Sequence, residues 1–147
     1  MSSDINTGVL LFIPYRALEN RVFAALAEAG FDDFTPAQAR VLQRIGPYGT
    51  RLTELAEQAQ ITKQTAGFLV DQLQKAGYVT RVPDPADRRA RLVCLSARAL
   101  AAKDVADAVI AEVEREWAAH LGQRRMTQLR EALTLLREIT DPWAETD

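Results

Sequence analysis

The stretch from Thr53 to Ser96 constrains the fold most, because its hydrophobic period changes abruptly partway along. Thr53 precedes ELAEQAQ, in which Leu55, Ala56 and Ala59 share one helical face. Thr62 precedes KQTAGFLVDQLQKAG, in which Ala66, Leu69, Val70 and Leu73 recur at i, i+3, i+4 and i+7. Each threonine suits an N-cap, and Gly77 supplies a stop. Only about Gln60 to Thr62 separates the two segments, so the pattern predicts two short helices joined by a tight turn. After Gly77 the period falls to two. YVTRV and RLVCL alternate and carry β-branched residues, and between them stand two prolines, two aspartates and an arginine cluster. A β-hairpin with a long basic tip is expected.

The flanking sequence reads as helix. YRALENRVFAALAEA, residues 15–29, places Leu18, Val22, Ala25, Leu26 and Ala29 at helical spacing before Gly30; Pro14 either begins this helix or kinks one that started earlier. Thr35, Pro36 and Gln38 form a T-P-x-Q start in which Thr35 caps, proline takes the first position and Gln38 completes a capping box. That helix presents Ala39, Val41, Leu42 and Ile45 and ends at Gly46-Pro47. Ser96 caps a long helix to about His120, with Ala101, Val105, Val109, Val113 and Trp117 on one side. Beyond Gly122, Met126, Leu129, Leu133 and Leu136 form the seam of a last helix. The fold class expected is mainly α with a small β-hairpin wing, in one domain over residues 1–147. Within it a winged helix-turn-helix lobe spans 34–96, between helices at 5–30 and 97–140.

Composition narrows the function classes. Apolar residues make up 48% and charged residues 26% of the 147, as in an ordinary soluble protein. The longest apolar run, VLLFI, is far short of the roughly 20 residues that span a bilayer. It does not follow a basic segment, so neither a signal peptide nor a membrane partner is expected, and the chain should stay in the cytoplasm. Cys94 and His120 are single residues of their types, which argues against a metal site. His120 and the tryptophans Trp117 and Trp143 read as structural or interface residues. No nucleophile–base pair or phosphate loop is visible, so neither an enzyme nor a cofactor is expected.

The net charge of −2 hides an asymmetry. From Thr62 to Arg91, Lys63, Lys75, Arg81, Arg88, Arg89 and Arg91 face only Asp71, Asp84 and Asp87, which makes this segment +3 and the remainder −5. A basic face on an acidic body is the electrostatic footprint of a phosphate-backbone binder. The major groove of B-DNA admits one α-helix, and a hairpin beside it can set arginine in the minor groove. On the second helix of the motif, the side opposite the apolar stripe carries Gln64, Phe68, Asp71 and Lys75. Gln64 matches the N6/N7 edge of adenine. Lys63 and Thr65, beside the capping Thr62, suit phosphates, and Gly67 permits close approach. Phe68 either touches thymine methyls or covers a hydrophobic gap at the domain edge. Arg88, Arg89 and Arg91 are the wing's candidates for double-stranded DNA.

Over nearly its whole length the sequence resembles the MarR family of bacterial transcriptional regulators. The resemblance is carried by FTPAQARVL, LTELA, LVDQLQKAGYV and the wing DPADRRARLVCLS, in that order. It implies a homodimer, built from the N- and C-terminal helices, that binds pseudo-palindromic DNA as a repressor. It also implies that Asp71 bridges to the wing arginine Arg89. Asp87 is expected to turn the wing tip through local backbone N–H groups or Arg89. Family members often release DNA on binding a small aromatic or anionic molecule. Phe12, Tyr15 and Arg16 beside Pro14 are the candidate effector residues, and interface packing is the alternative for the two rings. A winged-helix module that binds protein instead of DNA is the competing reading for the whole chain.

Overall fold

A computed structural model describes residues 4–141. Trp143 lies outside them. The order is α1 (Thr7–Glu28), α2 (Pro36–Arg44), β1 (Thr50–Arg51), α3 (Leu52–Gln58), α4 (Lys63–Lys75), β2 (Val79–Asp84), β3 (Asp87–Leu95), α5 (Ala97–Leu121) and α6 (Gln123–Thr140). Two compact units result, one spanning Ala24–Ala106 and the other formed by the chain up to Phe23 and from Asp107 onward. The architecture is the expected one, mainly helical with a small antiparallel sheet.

In the first unit, the core lies under the helix-turn-helix. Val41, Leu55, Ala66, Val70, Leu73, Tyr78, Val79 and Val93 are all buried. Truncating Leu55 or Leu73 to alanine removes about 2–5 kcal/mol each, the usual cost of emptying a sealed leucine site. Caps then fix where the helices start. Thr35 Oγ1 accepts from the Gln38 amide at 3.2 Å while Gln38 Oε1 accepts from the Thr35 amide at 3.0 Å. Gln38 also donates through Nε2 to Gln72 Oε1 on α4 at 2.8 Å, so one side chain closes a helix end and ties two helices together. Thr62 Oγ1 accepts from the Thr65 amide at 3.1 Å at the start of α4. The turn between α3 and α4 needs a left-handed residue, and Gln60 takes it with φ 58°, its Nε2 donating to the Glu57 carbonyl at 2.9 Å.

Of the two alternatives for Pro14, the structure has the second: it lies inside a helix, α1, that started earlier. The helix is nucleated by Asn6 Oδ1 accepting from the Val9 amide at 2.9 Å. Two features differ from the sequence expectation. Thr53 does not cap α3. The helix begins at Leu52 after Arg51, because Thr50 and Arg51 are drawn into a strand, β1, that pairs with Val93 and Leu92 of β3. Gly49 makes the close approach to β3 possible. Its φ is +89°, and an added Cβ would stand 2.7 Å from Cys94 Sγ and 3.0 Å from Leu92 Cβ. Finally, the wing has no long loop. Its turn is Pro85-Ala86, and the arginine-rich stretch is itself strand β3.

The second unit is helical. Val113 and Met126 are buried within it. Arg21 on α1 pairs with Glu116 at 2.5 Å, and Arg130 on α6 pairs with Glu114 at 3.0 Å. Its outer surface is apolar to an unusual degree: Val9, Leu10, Phe12 and Ile13 of α1 and Leu133, Leu135, Leu136 and Ile139 of α6 are all exposed. No described helix is long and apolar enough to cross a membrane.

Candidate nucleic-acid interface

The wing is held at its root and at its tip by ion pairs of different reach. β3 lies between β1 and β2. Pairing runs regularly from Val79↔Leu95 to Pro83↔Arg91, then jumps to Asp84↔Asp87. Arg88, Arg89 and Ala90 are thus extra residues on β3 with no counterpart on β2. A bulge of this kind bends its strand and re-aims side chains. Arg88, Arg89 and Arg91 are all exposed, and among the described residues none of the three side chains enters an ion pair.

Asp84, a residue the sequence reading did not single out, anchors this tip. Its side chain is only 10% exposed. Oδ1 accepts from the Ala86 amide at 2.9 Å, which closes the turn. Oδ2 accepts from Arg51 Nε at 2.8 Å and Nη2 at 2.7 Å. The Ala86 amide first, and Arg51 after it, hold the Asp84 carboxyl below the usual carboxylate range. The tip is therefore fastened to β1, across the sheet from its own hairpin. The Asp-Pro dipeptide at a turn was a legible signal for the Ala86 bond; the Arg51 partner, 33 residues away, was not. Asp87 Oδ1 accepts from the Arg89 amide at 3.0 Å, a local backbone bond beyond the turn that Asp84 closes.

Asp71 pairs with Arg81, not with Arg89. The Arg81 Nη2 stands 2.8 Å from Asp71 Oδ1, and its Nη1 donates to Gln74 Oε1. The reason is topological. β2 leaves α4 after a three-residue turn, Ala76 to Tyr78, so Arg81 comes back beside the α4 face while Arg89 lies out in the bulge. The consequence for charge is the same as for the expected bridge: a carboxylate on the outer face of α4 is offset by a guanidinium.

A further cluster fixes the junction between α4, the wing and α5. The Tyr78 hydroxyl donates to Asp33 Oδ1, and Arg98 Nη2 pairs with Asp33 Oδ2 at 3.0 Å. The Arg98 guanidinium lies over the Tyr78 ring at 4.3 Å, and Phe34 meets the same ring edge-on at 5.2 Å. Burial foremost, and the Asp33 carboxylate with it, pushes the Tyr78 phenol well above its ordinary range. The phenol's hydrogen bond, aided by Arg98, holds Asp33 low in return. Ser96 Oγ donates to the Gly77 carbonyl at 2.6 Å and accepts from the Ala99 amide at 3.2 Å, so the cap of α5 also closes α4.

On this frame the outer face of α4 forms an open groove of about 760 Å³ lined by Leu52, Lys63, Gln64, Thr65, Gly67, Phe68 and Asp71. All but Leu52 were candidates from the sequence, and the fold brings them onto one surface. Thr62 sits at its head as the cap, its hydroxyl also donating to Thr65 Oγ1 at 2.9 Å. An added Cβ at Gly67 would meet only Leu52 Cδ2, at an ordinary 3.7 Å. The glycine costs an interior helix about 1 kcal/mol relative to alanine, and packing within the chain does not require it. Phe12, Tyr15 and Arg16 lie together on an exposed face of α1, away from this groove in sequence and in unit. Among the described residues no cluster of three or more His, Cys, Asp or Glu could hold a metal ion.

The fold and the sequence point to the same relatives. No curated protein sequence matches the chain. Among solved structures, a MarR family protein of Mycobacterium tuberculosis in complex with salicylic acid is 27% identical, with 92% of this chain and 99% of that one covered and a TM-score of 0.64. A transcriptional regulator of Thermotoga maritima is 26% identical over 90% of this chain and 92% of that one, with a TM-score of 0.63. CouR of Rhodococcus jostii, bound to p-coumaroyl-CoA, is 23% identical over 98% and 97%, and its TM-score of 0.70 speaks for the fold. The sequence model of the MarR family matches residues 32–90, which hold the capped start of α2, both helices of the motif and the wing as far as Ala90. The winged helix-turn-helix and the family match over its determinants make this chain similar to the MarR family of transcriptional regulators.

Proposed function

We propose that this chain is a sequence-specific DNA-binding repressor that acts as a homodimer on a pseudo-palindromic operator. The observation that carries the reading is the cation balance of the helix-turn-helix and its wing. Lys63, Arg88, Arg89 and Arg91 are exposed and, among the described residues, form no ion pair, while Asp71 is offset by Arg81. Four unpaired cations on the second helix of the motif and on its wing suit a groove flanked by phosphates. Thr62, Lys63 and Thr65 would meet the backbone, Gln64 and Phe68 the bases, and the wing arginines the neighbouring minor groove. Asp87, with the tip bond to Arg89, would orient the wing. In this reading residues 34–96 are the DNA-binding lobe and the helices at 5–30 and 97–140 hold two protomers together.

Fluorescence anisotropy with genomic fragments at two salt concentrations tests it. Saturable binding that selects among fragments and weakens steeply with salt is the expected result. Absence of binding at low salt would leave the winged-helix protein-interaction module as the better reading.

Control by a small aromatic or anionic effector is the finer part of the proposal. Phe12, Tyr15 and Arg16 supply two rings and a cation on one face of α1. The M. tuberculosis and R. jostii relatives were each solved with a ligand built on an aromatic ring. An effector works only by binding one spacing of the two recognition helices better than another. Benzoate-like compounds should lower DNA affinity, and Arg16→Ala should abolish that response while leaving binding without effector unchanged. A panel of such compounds that causes neither DNA release nor a thermal shift would remove effector control from the proposal.

A further inference from the structure

Phe68 stands largely outside the protein's own packing. It is 62% exposed in the middle of α4, so the alternative in which it covers a hydrophobic gap does not hold. Its neighbours on the groove are polar or charged except Leu52 and Gly67. An exposed phenyl ring on the same outer face of α4 as Gln64 is placed to give a bound partner an apolar contact. In the major groove the one apolar group that marks sequence is the C5-methyl of thymine.

We infer that Phe68 is a specificity-determining residue that reads a thymine methyl in each operator half-site. This rests on the DNA-binding reading above and adds a defined chemical group to it. Position supports the pairing with Gln64. The two residues are four apart, one helical turn, which is about 6 Å along the axis. Stacked bases repeat every ~3.4 Å per strand, so an adenine read by Gln64 and the thymine touched by Phe68 fall within about two base pairs of each other. Gly67 beside the ring leaves room for the helix to descend far enough to make the contact, since an added Cβ there is not excluded by the protein's own atoms. A docked protein is the less suitable occupant. The ring stands alone among Lys63, Gln64, Thr65 and Asp71, whereas protein interfaces deplete charge around their apolar anchors.

Deoxyuridine tests the inference, because it deletes the methyl and leaves every hydrogen-bonding edge in place. The tightest genomic fragment selected by the protein is synthesised with each thymine replaced in turn. Wild type should lose about fourfold in affinity at one position per half-site, the weight of one buried methyl group. Phe68→Ala should bind the thymine and deoxyuridine versions equally at that position, while Gln64→Ala should retain the difference. Phe68 is exposed, so its replacement leaves the melting temperature in place, and a loss of affinity is not a loss of fold. Equal wild-type affinity for all versions would overturn the thymine contact and leave DNA binding standing. So would a deoxyuridine penalty that persists in Phe68→Ala. Failure to select any fragment would overturn both.

Discussion

Replacing Arg88 and Arg89 together with alanine is expected to weaken binding to every DNA sequence alike, and by a large factor. Both side chains sit in the extra residues of β3, beyond the last regular pair of the wing, and both are exposed. A dimer would carry four such arginines. If each neutralises one phosphate, each releases about 0.9 of a counterion, so the slope of log affinity against log salt should fall by between three and four. At physiological salt the same arithmetic gives a loss of up to roughly a thousandfold. The ratio between the best fragment and a scrambled one should barely change, because phosphate contacts carry no sequence information. Anisotropy titrations of wild type and variant at several salt concentrations measure both quantities. A variant with the wild-type slope would take the wing out of the DNA-binding surface.

The wing also shows where sequence reading reaches its limit. Local signals were legible: the Thr35–Gln38 box, the Thr62 and Ser96 caps and the α4 stripe of Ala66, Val70 and Leu73 depend on residues within one or two turns. Composition was legible too, since an arginine cluster between alternating stretches marks a basic hairpin. Register was not. Whether Arg88–Ala90 form a loop or a bulged strand depends on what β2 and β1 offer opposite them, and β1 is two residues long. The same holds for charge pairs. Arg51–Asp84 and Asp71–Arg81 follow from which strand passes beside which helix, and a linear pattern does not distinguish Arg81 from Arg89 as the partner of Asp71. The candidate base-facing residues were legible because a helix wheel fixes them once the buried stripe is known.

The second large effect concerns assembly. Leu135 and Ile139 of α6 are 64% and 83% exposed, and Leu133, Leu136 and several apolar side chains of α1 are exposed as well, which is the surface through which we propose that two protomers join. Thr127, Arg130, Glu131, Thr134 and Leu135 line a groove on the same helix. We expect Leu135→Glu with Ile139→Glu to give a folded monomer. Glutamate keeps the helix propensity of leucine, so α6 itself should persist. Both positions are exposed in the protomer, so the substitution leaves its core intact. In a dimer interface, however, four buried carboxylates would have no partners and would oppose association strongly. DNA binding should suffer with it. Two-fold symmetry sets two recognition helices about 34–36 Å apart, one turn of DNA. A lone helix reads half of the site, and affinity should drop from the specific range to the micromolar range or weaker of non-specific binding, a thousandfold or more. Sedimentation velocity and anisotropy together check the prediction. A variant that sediments as a dimer and binds the operator as wild type does would show that α6 is not what joins the protomers.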